Sequence, residues 1–243
     1  MTLSLPSLID SPALGPRPFL TWYGADGERI ELSATVTANW VAKTVNLLVE
    51  EYDAAPGTLV HLDLPPHWRT AVWALAAWRV GAGLVLGDPA SKDVPKRAEI
   101  IVTDRPEEVA AGAGNFDDII AQVLPSLARQ FDGTLPPGSL DAARAVGSYA
   151  DVIGYSPVAE PSAPAVVVGS TTTRHGDLDS WAADLPPSAR LAVSVGSRSP
   201  RDLETFCATV LGALRVRTSL VLLAGTHDEA RILESERATS FPS

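Results

Sequence analysis

Thr58-Leu59-Val60-His61-Leu62-Asp63-Leu64, closed by Pro65-Pro66, leads into a stretch from His67 to Val80 and then into Gly81-Ala82-Gly83-Leu84-Val85-Leu86. In the first piece Val60, Leu62 and Leu64 alternate onto one face, the period-two signature of a strand. Trp68, Val72, Trp73, Leu75 and Trp78 then recur at helical spacing. The apolar residues run almost all the way round this helix, so it is predicted to be packed on several sides. Gly81 and Gly83 end it and admit the short apolar strand that follows. Strand, helical crossover and second strand together make a parallel unit.

Upstream, residues 1–18 read as an irregular lead-in. Phe19 to Tyr23, a turn at Gly24-Ala25-Asp26-Gly27, and Glu28 to Leu32 read as a hairpin. Ser33 can cap a long amphipathic helix whose Val36, Trp40, Thr44, Leu47 and Leu48 share a face, ending near Pro56-Gly57. Downstream, Glu99 to Thr103 is a strand. Asn115 opens a predicted helix carrying Phe116, Ile119, Ile120, Val123, Leu124 and Leu127, bent at Pro125. Ala165 to Gly169, Leu191 to Val195 and Ser219 to Leu223 are further strands. Ser199-Pro200 with Asp202 starts a helix through Leu203, Phe206, Cys207 and Val210, and Thr226 with Glu229 spells a capping box before the last one. The alternation implies an α/β fold, a mostly parallel, doubly wound sheet with flanking helices. Residues 1–243 read as one unit, with lobes at 19–155 and 165–237 divided by the Pro-rich connector 156–164.

The net charge of −10 and the presence of only three lysines, Lys43, Lys92 and Lys96, oppose a nucleic-acid or anionic-membrane footprint. Cys207 is the single cysteine, so neither an internal disulfide nor a multi-cysteine metal site is expected. No run reaches the roughly 18 apolar residues of a membrane span. The N-terminus lacks a basic, signal-like start, and a cytoplasmic location is expected.

From Phe19 to Pro89 the chain resembles the opening of the adenylate-forming superfamily of acyl-CoA synthetases, adenylation domains and luciferases. The cues are Trp22-Tyr23, Leu32, Pro56-Gly57-Thr58-Leu59-Val60, Leu64-Pro65-Pro66, Gly81-Ala82-Gly83 and Gly87-Asp88-Pro89, in that order. Gly169-Ser170-Thr171-Thr172-Thr173-Arg174-His175-Gly176 is similar to that family's phosphate-gripping loop. Gly169, Ser170, Thr171 and Gly176 match its pattern, while Thr172, Arg174 and His175 replace a glycine, the proline and the lysine. In such a loop hydroxyls and unhindered N–H groups converge on phosphate oxygens. Hydroxyls after a strand also cap turns, and with these substitutions that structural role weighs more.

The resemblance implies an acetyl-CoA synthetase N-terminal-like, truncated domain. The family's adenine- and metal-holding glutamate segment, its ribose-binding aspartate and its lysine lid have no counterpart in this sequence. No catalytic or metal-binding residue is expected, and no cofactor beyond residual ATP or AMP binding at Gly169, Ser170, Thr171 and Gly176. The function this implies is a non-catalytic domain acting through a protein partner or as a homodimer. The alternative is the nucleotide-binding half of a split acyl-adenylate-forming ligase of the acid–thiol type. His61 and His67 flank Asp63 without a metal-pair spacing, His175 reads as a solvated loop histidine, and Val195-Gly196-Ser197-Arg198-Ser199 lacks the last glycine of a nucleophile elbow.

Overall fold

The structure, a computed structural model, describes residues 5–10, 15–91, 98–112, 114, 116–186, 188, 190–225 and 228–241. Leu5–Asp10 forms a helix (α1) within the stretch expected to be irregular. Pro18–Tyr23 (β1) and Arg29–Ser33 (β2) make the predicted hairpin, followed by Ala34–Tyr52 (α2). Ser33 caps α2 by accepting the Val36 N–H at 3.1 Å. Leu59–Asp63 (β3), Trp68–Arg79 (α3) and Gly83–Leu86 (β4) are the expected parallel unit. Next come Ile100–Thr103 (β5), Pro106–Ala110 (α4), Asp118–Ala121 (β6), Leu140–Asp141 (β7) and Ala142–Ser148 (α5). Pro164–Val168 (β8), Thr171–Arg174 (β9) and Leu178–Trp181 (α6) follow. Arg190–Val195 (β10), Pro200–Val216 (α7), Ser219–Ala224 (β11), Glu229–Glu236 (α8) and Thr239–Phe241 (β12) complete the order.

The strands form two mostly parallel sheets with flanking helices. One has five strands in the order β12-β10-β11-β1-β2, the other seven in the order β7-β6-β5-β3-β4-β8-β9. Each carries one antiparallel edge strand, β2 or β9, supplied by a hairpin. Each sheet also draws strands from both sides of connector 156–164: β1 and β2 join β10 to β12, while β8 and β9 extend the sheet built on β3.

Why α3 is apolar all round is explained by its neighbours. It packs on β1 of the five-stranded sheet, on β3 and β4 of the seven-stranded sheet, and on α2 and α7 beside it. Every residue from Trp68 to Trp78 is buried. Burying a tryptophan requires a partner for its indole N–H. Trp68 donates to the Ser126 hydroxyl at 3.1 Å, Trp73 to the Gln122 side-chain oxygen at 2.8 Å and Trp78 to the Ala165 carbonyl at 2.9 Å. The Arg69 guanidinium, also buried, lies 4.4 Å from the Trp68 ring and donates to the carbonyls of Leu124, Pro125 and Ser126. Burial pushes its pKa down to about 10, which leaves it charged at neutral pH.

The helix expected after Asn115 is not formed; Asn115 itself lies outside the described residues. Asp118–Ala121 is instead a strand, with Ile119 opposite Ile101 and Ile120 opposite Val102 of β5. Ile119 and Ile120 are β-branched and adjacent, so a strand can bury both faces where a helix would bury one. Leu127, which was to share the helix's apolar face, is 88% exposed. The last helix starts at Asp228, whose carboxylate accepts the Arg231 N–H at 3.2 Å. The predicted cap at Thr226 lies outside the described residues.

Candidate functional site

Gly169-Ser170 is the whole of a two-residue turn between antiparallel strands, because Val168 of β8 stands opposite Thr171 of β9. Gly169 takes φ +54 and Ser170 does not take a positive φ, the pattern of a type II′ hairpin turn. Thr171 to Arg174 is thereby drawn into a strand rather than a loop. Successive strand side chains point to opposite faces, so Thr171 and Thr173 share one face, Thr172 and Arg174 the other. Ser170, Thr171, Thr172 and Arg174 are exposed. Of the four glycine and hydroxyl positions named from the sequence, Gly169, Ser170 and Thr171 therefore sit at the hairpin tip. Gly176 lies beyond the far end of β9, where its N–H donates to the Pro161 carbonyl at 2.9 Å. His175 is not a solvated loop residue: its Nε2 lies 3.1 Å from the Ala82 carbonyl oxygen. Burial lowers its pKa, and the carbonyls of Ala82 and Gly81 act weakly the other way.

A second cluster joins the carboxyl ends of the two sheets, the region where α/β sheets place ligands. Asp63 ends β3 with its side chain only 2% exposed. Its carboxylate accepts the Thr103 hydroxyl at 2.8 Å and the Arg105 Nε and Nη2 at 3.0 and 2.9 Å. From the loop between β10 and α7, Arg198 crosses to the seven-stranded sheet. It donates to the Asp63 carbonyl at 3.1 Å and holds both oxygens of Asp104 at 2.9 and 3.0 Å. The hydrogen bond to Asp63, against a smaller opposing effect of burial, raises the Arg105 pKa. These charges are engaged with one another, and the arrangement ties sheet to sheet. Sequence reading passed over it because Asp63, Arg105 and Arg198 are far apart in the chain; the single signal was an aspartate at the carboxyl end of a buried strand.

Ser197, in the segment compared with a nucleophile elbow, donates its hydroxyl and N–H to Asp202 at 2.7 and 2.8 Å. It stabilises the first turn of α7. His67 caps α3 by accepting the Arg69 N–H at Nδ1, and burial, then the Arg69 charge, pushes its pKa down to about 3. His61 is fully buried, with Nε2 3.0 Å from the Gly87 carbonyl oxygen. Cys207 is fully buried on α7, and burial pushes its thiol up to about 12. Among the described residues no group of three or more His, Cys, Asp or Glu is placed to hold a metal, and no helix is long and apolar enough to cross a membrane. Two cavities flank α1. One, of about 310 Å³, is lined by Leu8, Trp78, Val158, His175 and Leu211; the other, of about 750 Å³, by Ile9, Thr35, Asn39, Arg79 and Tyr155.

Two mostly parallel sheets with flanking helices match the fold of the N-terminal part of acyl-CoA synthetases and related adenylate-forming ligases. The particular likenesses bear this out. An acyl-CoA synthetase of Brucella canis superposes with a TM-score of 0.76 at 17% identity, over 99% of this chain and 47% of its own. Coronafacic acid ligase from Pectobacterium brasiliense gives a TM-score of 0.65 at 11% identity, over 96% of this chain and 48% of its own. Among curated proteins, a TIGR03089 family protein of Mycobacterium tuberculosis is 38% identical over 151 residues, 61% of this chain and 60% of that protein. No family model matches the chain. The chain thus spans about half the length of the solved ligases whose fold it shares.

Proposed function

We propose that this chain is a non-catalytic, adenylate-forming-like domain that acts by binding another polypeptide, a second copy of itself included. The observation that carries the reading is the two-residue turn at Gly169-Ser170. Gripping a phosphate requires hydroxyl and N–H groups that converge on one point. A strand sends consecutive threonines to opposite faces, so Thr171 and Thr172 diverge. What the segment offers in exchange is the open edge of a sheet, a surface that binds polypeptides by strand addition. The test is pyrophosphate release from ATP and Mg²⁺ by the purified chain with a panel of carboxylic acids. No release above buffer is expected, and sustained turnover by the chain alone would overturn the reading.

A second reading is favoured by coverage, since 99% of this chain lies on 47% of an acyl-CoA synthetase. In it the chain is the nucleotide-binding half of a split acyl-adenylate-forming ligase, with Gly169, Ser170, Thr171 and Gly176 toward the phosphates and another polypeptide completing the site. Calorimetry with ATP and AMP, with and without Mg²⁺, separates the two readings. Micromolar binding lost in a Ser170→Ala/Thr171→Ala double variant favours the split ligase; heats equal to dilution favour the binding domain.

A further inference from the structure

We propose that β9 is the surface through which two copies of this chain pair, antiparallel about a two-fold axis at Thr172, so that two seven-stranded sheets join edge to edge. The inference rests on the self-association reading above and names its contact.

Exposed strand edges template pairing with other chains, and proteins blunt them by shortness, charge or proline. The four edges of this molecule differ in that respect. β7 has two residues. β12 has three, is followed in sequence by Pro242, and its Ser240 hydroxyl donates to Glu229 at 2.9 Å. β2 carries Arg29 and Glu31, joined at 2.9 Å. β9 has four residues, three of them threonine, and none of its side chains makes an ion pair or a hydrogen bond among the described residues. Its one charge, Arg174, stands at the end away from the turn, so the middle of this edge carries neither charge nor proline.

Backbone geometry sets the register. Val168 and Thr171 close a two-residue turn, so they form the hydrogen-bonded pair, and alternation turns the N–H and C=O of Thr172 away from β8. A second copy laid antiparallel about Thr172 exchanges two hydrogen bonds with those groups. Thr171 then faces Thr173 of the second copy, and Ser170 faces Arg174. Threonine pairs across strands are favourable, whereas like charges directly opposite are not. The charge distribution points the same way. Two copies of net charge −10 repel, yet no Asp or Glu occurs between Gly169 and Gly176, and Arg174 meets a serine rather than its own copy. Because the shared strand is short, the dimer is weak and concentration-dependent.

Sedimentation equilibrium on the full chain, from micromolar to millimolar, tests this. The wild-type weight-average mass is expected to rise toward twice the monomer. Thr172→Pro removes the outward N–H at an edge position where proline is tolerated, and is expected to stay monomeric at every concentration with an unchanged circular dichroism spectrum. Thr172→Lys sets like charges opposite each other and should give the same result, which covers the case that the proline variant fails to fold. A wild type that remains monomeric throughout overturns the pairing, leaving the binding of other polypeptides to stand. A dimer that survives in both variants overturns β9 as its contact while self-association stands.

Discussion

The hairpins β1–β2 and β8–β9 each add one antiparallel strand to the edge of a parallel sheet, and they differ in what fastens that strand. On β1–β2, Tyr23 donates its hydroxyl to Glu236 of α8 at 2.5 Å, and Arg29 reaches Glu236 at 2.8 Å and Glu31 at 2.9 Å. Arg190 of β10 adds a contact to Glu236 at 2.6 Å and to the Thr21 hydroxyl at 2.6 Å. Helix α8 is thereby bolted across the outer face of the five-stranded sheet. Among the described residues the β8–β9 hairpin has no such network. The difference teaches that topology alone does not decide whether a sheet edge is closed; the alternate side chains of the last strand do.

The comparison breaks first, and most, at Glu236. Glu236→Ala leaves Tyr23, Arg29 and Arg190 without their common acceptor, whose side chain is 8% exposed. A loss of about 2 kcal/mol is expected in urea unfolding. The pH dependence sharpens it. Burial raises the Glu236 pKa, but hydrogen bonds from Tyr23 and Arg29 and the charges of Arg190 and Arg29 outweigh burial and hold it below the usual carboxylate value. The stability this contributes is complete above the unfolded pKa, about 4.3, and is lost as pH falls through the lower folded value. Stability measured from pH 6 to pH 3 should fall less steeply in Glu236→Gln than in wild type.

A smaller effect is expected at the tip of the other hairpin. An added Cβ at Gly169 meets nothing within 4 Å among the described residues, so Gly169→Ala costs only the left-handed backbone. About 1 kcal/mol is the expected loss in thermal unfolding. The smallest is Thr172→Ala, where a change within about 0.5 kcal/mol is expected in monomer stability measured at low concentration. A loss at Thr172 as large as that at Glu236 would erase the contrast between the hairpins.

How much of this was legible in the sequence follows from how each segment is buried. The unit from Leu59 to Leu86 was readable because its apolar pattern and its terminating glycines agree with its tertiary surroundings. The caps at Ser33 and Ser199 were readable because capping is local; Ser199 accepts the Asp202 N–H at 3.2 Å. Residues 116 to 124 were misread because Ile119, Ile120, Val123 and Leu124 suit a helix face as well as a strand, and the neighbour β5 decided between them. At Thr171 to Thr173 the resemblance to a phosphate loop drew attention from a plainer signal, three consecutive β-branched residues after a Gly-Ser turn. The short elements α1, α4 and α5 carry too few residues for periodicity to show.

Cys207 gives the molecule a built-in reporter. As the single thiol, fully buried beneath the helical layer that both sheets share and with its pKa pushed up to about 12, it is shut off from alkylating reagents while α7 stays seated. The speed at which such a reagent labels it therefore clocks how often the space between the sheets opens.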